Sequence, residues 1–420
     1  MVLKYLFKRH LKKRVVLLLF VCLFFTVSYL FYTAVLTSIK KSRKSAEAIK
    51  WNQDEFHHHE RVAPVEMDEN SKDVIMKEDN KLKLEDLPLR VLDIWSIVGM
   101  GDYTWQHVLG GQINEDLKDV AEYRLANTLL RYHTGAVSWE SIPQNTKNLM
   151  LVLNGRALDK VQYSKMWLDS LSSFPMLGTV LLMIIGSEDC DNGWLSPYLK
   201  SNGGQLSRVF ISYDASIVDN QEVIQWPLGA ATYRGFPLED SKKLLQAEDS
   251  RQYRCNFLGT VYPGSSREQL VYILERHNLA DYCYIKARNQ WEAEETKESM
   301  EEYIHILQQS DLTLNPVGKN IECYRIYEAV ALGSVPVIED VRTSPKCSSD
   351  TLRVLKQMNA PFIYVKDWSE LPDLIREEFK KTPEMIVERR IKLLKWYQTF
   401  KMELRKLFSD QLEATLEKDL

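Results

Sequence analysis

Between Ser310 and Asp340 the chain crowds Lys319, Glu322, Arg325 and Glu328 into one short segment. A guanidinium presents forked donors to an anion, and a carboxylate accepts hydrogen bonds, so these types suit ligand binding. The order of residues around them reads as strand, tight turn, helix, glycine stop and strand, which is one βαβ unit. Leu312 and Leu314 flank a polar residue, and Pro316, Gly318 and Asn320 break the strand. The pattern predicts a helix over Ile321 to Leu332 with Asn320 at its N-cap. Gly333 ends it, and Val335 to Ile338 suits a buried parallel strand. At about 100° per residue, Glu322, Arg325 and Glu328 fall within an arc of about 120°, one charged stripe on an otherwise apolar helix. Open amides at that helix start, beside Gly318 and Lys319, would form an anion seat. The plainer reading is a structural helix whose charged stripe faces water.

A second segment supports the sharper reading. Tyr253 to Thr260 reads as a strand, and Tyr262 to Arg267 as a glycine-bearing turn leading into a helix. Pro-x-Gly at 316–318, Arg-x-x-Glu-Ala at 325–329 and Gly-Ser-x-Pro-Val-Ile at 333–338 resemble the donor-binding segment of exostosin-type glycosyltransferases. The 253–267 stretch is similar to the start of the donor lobe in that family. More narrowly, four stretches are similar to the ribitol xylosyltransferases of the dystroglycan O-mannose pathway. They are Phe257-Leu258-Gly259-Thr260, Glu322 to Ala329, Gln225 to Gly229, and Ala231-Thr232-Tyr233-Arg234.

The resemblance implies a GT-B fold, two Rossmann-like lobes with a cleft between them, which close around both substrates. It implies an inverting transfer of xylose from UDP-xylose to ribitol-phosphate on the O-mannosyl glycan of α-dystroglycan, beside other Golgi transferases. Donor contacts would fall to Gly259, Arg267, Pro316, Gly318, Asn320, Arg325 and Glu328, with the arginines on the diphosphate and Glu328 on hydroxyls. Arg156 or Arg234 would meet a phosphorylated acceptor. The displacement needs a general base. Asp102, His107 and Asp191, on loops that follow strands of the first lobe, are the candidates, and each type is equally at home in a cap or turn.

Asp189-Cys190-Asp191 matches the Asp-x-Asp pattern with which single-domain transferases hold Mn²⁺. A second phosphate turn near 262–267 is foreign to that architecture, so no cofactor and no essential divalent metal is expected. The alternatives are a transferase for another UDP-sugar or a heparan chain, and a non-catalytic Golgi scaffold with a transferase fold.

These residues must be positioned by the rest of the chain. Val15 to Ile39 carries no charge and exceeds the ~20 residues that cross a bilayer. Its apolar run is too long for a signal peptide. Six Lys and Arg precede it and four follow closely, which favours a cytoplasmic N-terminus. The expectation is a Golgi type II protein: tail 1–14, transmembrane helix 15–39, lumenal stem 40–88, acceptor lobe 89–245, donor lobe 246–420 with a closing helix. The first 44 residues hold ten Lys and Arg and no Asp or Glu, leaving 44 basic against 58 acidic side chains beyond them. So acidic a lumenal part argues against nucleic acid as a partner. His57-His58-His59 lies in the stem, where three adjacent histidines cannot alone close a metal site.

In the first lobe, Leu89 to Val98, Leu149 to Leu153, Val180 to Ile185 and Arg208 to Tyr213 each end in Gly, Asn or Asp, as strands of a parallel α/β sheet do. In the second, Pro361 to Lys366 is a last strand, Asp367 to Phe379 a helix, and Pro383 to about Phe408 a long helix returning toward the first lobe. Five cysteines follow the span, so at most two bridges form, of unassigned pairing, and one thiol stays free. No Asn-x-Ser/Thr acceptor occurs.

Overall fold

Seven strands form the first sheet, in the order β2-β3-β1-β4-β5-β6-β7. They are β1 (Arg90–Ser96), β2 (Ala121–Leu125), β3 (Thr128–Thr134), β4 (Asn148–Asn154), β5 (Thr179–Ile185), β6 (Leu206–Ser212) and β7 (Val223–Gln225). The computed structural model describes residues 90–113, 120–134, 138–237, 250–290, 292 and 295–416. The expected span at 15–39 and the stem with its histidines lie outside the described residues. Among the described residues no helix is long and apolar enough to cross a membrane.

The apolar runs at the centre behave as a doubly covered parallel sheet requires. Every residue of β5 is buried, as are the five central residues of β4. All pairings in this sheet are parallel except β2 with β3, a hairpin turning at Ala126 and Asn127. That hairpin and β7 escaped the sequence reading, because their polar-apolar alternation and short length mark an edge only weakly. Helices are also scarcer than expected. Helix α1 (Leu158–Asp169) follows β4, but β1 leads into a short helical segment, Met100–Asp102 continued as π turns over Tyr103–Val108.

The second sheet is wholly parallel, in the order β12-β11-β10-β8-β9. Its strands are β8 (Tyr253–Thr260), β9 (Cys283–Arg288), β10 (Ser310–Asn315), β11 (Val335–Glu339) and β12 (Ile363–Val365). Helix α2 (Ser266–Arg276) is capped by Ser265, whose hydroxyl accepts from the Glu268 amide at 3.3 Å. Helices α3 (Lys297–Gln308), α4 (Tyr324–Ala331), α5 (Leu371–Phe379) and α6 (Pro383–Leu416) follow, with a short helix at Arg353–Gln357 between β11 and β12.

The predicted helix over Ile321 to Leu332 starts late. Cys323, extended at φ −148°, precedes the first turn at Tyr324. Asn320 is therefore no helix cap. Its Oδ1 accepts from the Glu322 amide at 2.9 Å, and its Nδ2 donates to the Glu188 carbonyl at 2.8 Å. Glu322 is drawn off the helix toward the first lobe, so the charged stripe shrinks to Arg325 and Glu328. Gly333 does end the helix, at φ +73°.

The two sheets share one core. Helix α6 runs 34 residues, past the expected Phe408, and lays Phe408 against Phe210 and Trp226 of the first lobe at ring separations of 5.4 and 6.1 Å. Full burial of one such ring contributes about 1.5–3 kcal/mol. The Tyr103 and Tyr397 hydroxyls meet at 3.1 Å. A disulfide, Cys190–Cys347, also crosses between lobes, while Cys255–Cys283 ties β8 to β9 and Cys323 stays a free thiol.

Buried carboxylates complete the junction. Glu322 accepts from the amides of Leu228 (2.8 Å) and Tyr213 (3.3 Å), and Asp214 from that of Leu352 (2.9 Å). Burial pushes Glu322 up to about 7 and Asp214 up to about 6, from ordinary values of 4.5 and 3.8. The folded protein thus holds these protons more tightly than the unfolded chain does. Their contribution to stability is full below about pH 4 and is lost as the pH rises toward 7. For Glu322 the loss is on the order of 3 kcal/mol. Glu322→Gln should flatten the fall in stability between about pH 5 and 7, measured by urea unfolding at several pH values. A slope unchanged from wild type would refute this.

Candidate active site

The carboxyl ends of β8 and β9, the start of α4 and one face of α3 enclose a cavity of about 210 Å³. Ala231 and Arg234, which follow β7, close it from the first-lobe side. Ligands of open parallel sheets gather at such strand ends, because loops there converge with helix N-termini.

Two arginines dominate the wall. Arg325 donates from Nη2 to the Leu258 carbonyl at 2.9 Å and lies over the Phe257 ring at 5.2 Å. Its Nε and Nη1 are buried without a hydrogen-bond partner. Arg267 donates from Nη1 to the Thr260 carbonyl at 2.8 Å, and its Nε is likewise buried and unpaired. Burial, and next the neighbouring Arg325 charge, hold the Arg267 guanidinium below its usual range. Glycine permits this crowding. A Cβ on Gly259 would stand 2.7 Å from Arg325 Nη2, and one on Gly318 would stand 2.6 Å from Arg267 Nη2. Unsatisfied N–H groups on two adjacent cations are costly to bury, and a doubly charged anion would relieve both.

Glu328 lines the same cavity but is engaged. It accepts from the Ala231 amide at 3.1 Å and from the Tyr303 hydroxyl at 2.6 Å, so it also ties the first lobe to α4. Burial raises its carboxyl above the ordinary value. Pro316, Gly318 and Asn320 do not line the cavity; the loop they form brings Gly318 against Arg267. Arg234 is a lining residue, with its guanidinium 5.5 Å from the Tyr233 ring centre, and Tyr233 packs edge-on to Tyr324 at 5.9 Å. Arg156 stands outside, donating to Glu188 at 2.8 Å and to the Tyr213 hydroxyl at 3.1 Å.

None of the three base candidates lines the cavity. Asp102 accepts from the buried Tyr132 hydroxyl at 2.7 Å, and its burial lifts the carboxyl above its usual range. His107 is buried with its ring 5.1 Å from that of Tyr103. Asp191 is exposed and bonded to Lys346, while Asp189 pairs with Lys319 at 3.0 Å. The residue between them is bridged to Cys347. Lysines, then, occupy both carboxylates of the Asp-x-Asp pattern, and no group of three metal-ligating side chains occurs among the described residues.

Sequence reasoning missed the far wall. Lys286 pairs with Glu302, and Arg288 with Glu295 at 2.8 Å. Lys286 and Arg288 alternate along β9 and so share one face, a period-two signal visible in the sequence. What the sequence lacked was the knowledge that 283–288 is a strand.

The chain is a glycosyltransferase, the class on which its two α/β sheets, its cationic cavity and its relatives agree. It belongs to the RXYLT1 family: residues 92–227 match the RXYLT1 N-terminal domain and residues 233–416 the RXYLT1 C-terminal domain. It is 42% identical over 333 residues to ribitol-5-phosphate xylosyltransferase 1 of Danio rerio, a match spanning 77% of this chain and 76% of that protein. The protein of the same name from Homo sapiens is 42% identical over 341 residues, with coverage of 77% and 76%. Among solved structures, an alpha1,3-fucosyltransferase aligns with TM-score 0.38 and 9% identity over 77% of this chain and 93% of that one. A structure described as trehalose-6-phosphate from E. coli bound with UDP-2-fluoro glucose aligns with TM-score 0.39 and 9% identity, over 77% and 98%.

Arg325→Lys replaces a forked donor by a point charge and should not be mild. Charge-assisted contacts are worth about 1.5–3 kcal/mol, so transfer should fall by roughly ten- to a hundredfold. The variant should melt like wild type yet no longer gain melting temperature from added UDP. Unchanged stabilisation by UDP with normal turnover would remove Arg325 from the site.

Proposed function

We propose that this protein transfers xylose from UDP-xylose to ribitol-phosphate, with the O-mannosyl glycan of α-dystroglycan as the acceptor. The observation that carries the reading is the pair of buried guanidiniums, Arg267 and Arg325, each with unpaired N–H groups and no ion-pair partner among the described residues, at the carboxyl end of a parallel sheet. The names of the relatives supply the sugar and the acceptor. A diphosphate leaving group gains negative charge as the bond to the anomeric carbon breaks, and two pre-positioned arginines favour that state. Glu328 and Tyr303 line the same cavity and are the candidates for contact with a ribose hydroxyl of the donor. Arg234, with Arg156 beyond Tyr324, offers positive charge to the acceptor phosphate. A GT-B cleft suits this division between a donor lobe and an acceptor lobe.

The ion pairs of Asp189 and Asp191 with lysines favour a mechanism without a divalent metal. Detergent-solubilised full-length protein, screened with several UDP-sugars and a ribitol-5-phosphate-bearing acceptor, should transfer xylose in preference and keep most activity in EDTA. Preference for another sugar would overturn the donor assignment, and abolition by EDTA with rescue by Mn²⁺ would restore the Asp-x-Asp reading.

The uncharged stretch at 15–39 and its basic flanks support a single-pass Golgi anchor with the catalytic part in the lumen. In sealed Golgi vesicles the chain beyond Ser45 should resist protease until detergent is added. Its digestion in intact vesicles would refute this topology.

A further inference from the structure

None of the three base candidates lines the donor cavity, and Glu188 does not line it either, but Glu188 sits at the junction of the lobes, on a turn fastened to the donor lobe. The geometry points to Glu188 as the general base that takes the proton from the acceptor hydroxyl, an inference that rests on the proposed glycosyl transfer.

Glu188 belongs to the turn after β5, at the carboxyl end of the first sheet, and this turn is fastened to the donor lobe at three successive residues. The Glu188 carbonyl accepts from Asn320 at 2.8 Å, Asp189 pairs with Lys319 at 3.0 Å, and Cys190 is bridged to Cys347. The same 316–320 loop presses Gly318 against Arg267. The Glu188 turn and the Arg267 guanidinium thus both pack against the same 316–320 loop. Its Oε1 accepts from Arg156 at 2.8 Å, and its Oε2 receives no hydrogen bond from any described residue. The side chain is 21% exposed.

Glu188 is itself paired with Arg156 through Oε1, but Glu322, Glu328, Glu295 and Glu302 around the junction have both carboxylate oxygens engaged. Glu322 and Asp214 hold backbone amides across the lobes, and Glu328 holds Ala231 and Tyr303. Glu295 is paired with Arg288, and Glu302 with Lys286 and Tyr284. In the step itself the acceptor O–H gives its proton to Oε2 of Glu188. The hydroxyl oxygen's electron pair forms the new bond to the anomeric carbon. The bond from that carbon to the diphosphate breaks, and its electrons leave with UDP, held by Arg267 and Arg325.

Full-length Glu188→Gln tests this, assayed with the UDP-sugar and acceptor that wild type turns over best. Loss of a general base should lower kcat by about 10²–10⁴-fold. The acceptor KM, the melting temperature and the stabilisation by UDP should stay near wild type. Should the glutamine variant fold poorly, Glu188→Asp keeps the backbone contact to Asn320 and withdraws the oxygen by roughly one bond, which should still cost about a hundredfold in kcat. A kcat within about fivefold of wild type for either folded variant would overturn the assignment. So would a raised acceptor KM with kcat intact, which would mean that Glu188 only orients Arg156. Wild type that ignores ribitol phosphate but glycosylates another acceptor would refute the substrate reading instead, and the kcat ratio on that acceptor would still decide the role of Glu188.

Discussion

Arg267 and Arg325 share a buried wall with no carboxylate at ion-pair distance among the described residues, and much of the donor lobe is arranged to tolerate them. Like charges side by side away from water are unstable unless something supplies acceptors. Here the backbone does so in part, through the carbonyls of Leu258 and Thr260 at the end of β8. Nε and Nη1 of Arg325 and Nε of Arg267 have no hydrogen-bond partner among the described residues. Gly259 and Gly318 matter for the same reason, since any side chain there would drive a guanidinium out of place.

The late start of α4 follows from a competing demand. A helix beginning at Ile321 would keep Glu322 on the charged stripe. Instead, Asn320 and Glu322 reach backbone groups of the first lobe at Glu188, Tyr213 and Leu228. Three residues of helix are exchanged for contacts that join the lobes, and buried amides satisfied in this way would otherwise be costly. The lobes are also held by the Cys190–Cys347 bridge, the aromatic stack of α6 on the first sheet, and the ties from Glu328 and Asp214. The sheets accordingly belong to one compact unit. A site between lobes so fastened is pre-organised, which leaves less of the work of assembling it to domain motion.

Most of the secondary structure of the donor lobe was legible because it rests on local rules. Apolar runs bounded by turn residues located β8, β10 and β11, and Ser265 before Arg267 marked the start of α2. Lining residues Gly259, Arg267, Arg325, Glu328 and Arg234 were also legible, since their motifs lie within short windows. Position along the chain by itself determined that much: an α/β protein with a cationic turn and a helix carrying Arg and Glu.

Tertiary structure decided what those residues face. Asp102, His107 and Asp191 carry the right chemistry in the sequence, yet Tyr132, an aromatic stack and Lys346 claim them, partners at 30 residues or more in two of the three cases. Glu188 carries no local signal at all. Its setting comes from Arg156, 32 residues away, and from Asn320, 132 residues away in the loop that also holds Gly318. The cysteine pairing was undetermined for the same reason, with Cys190 and Cys347 lying 157 residues apart. A proton-accepting oxygen is defined by which donors it lacks, and that is a property of the packed surroundings rather than of any stretch of sequence.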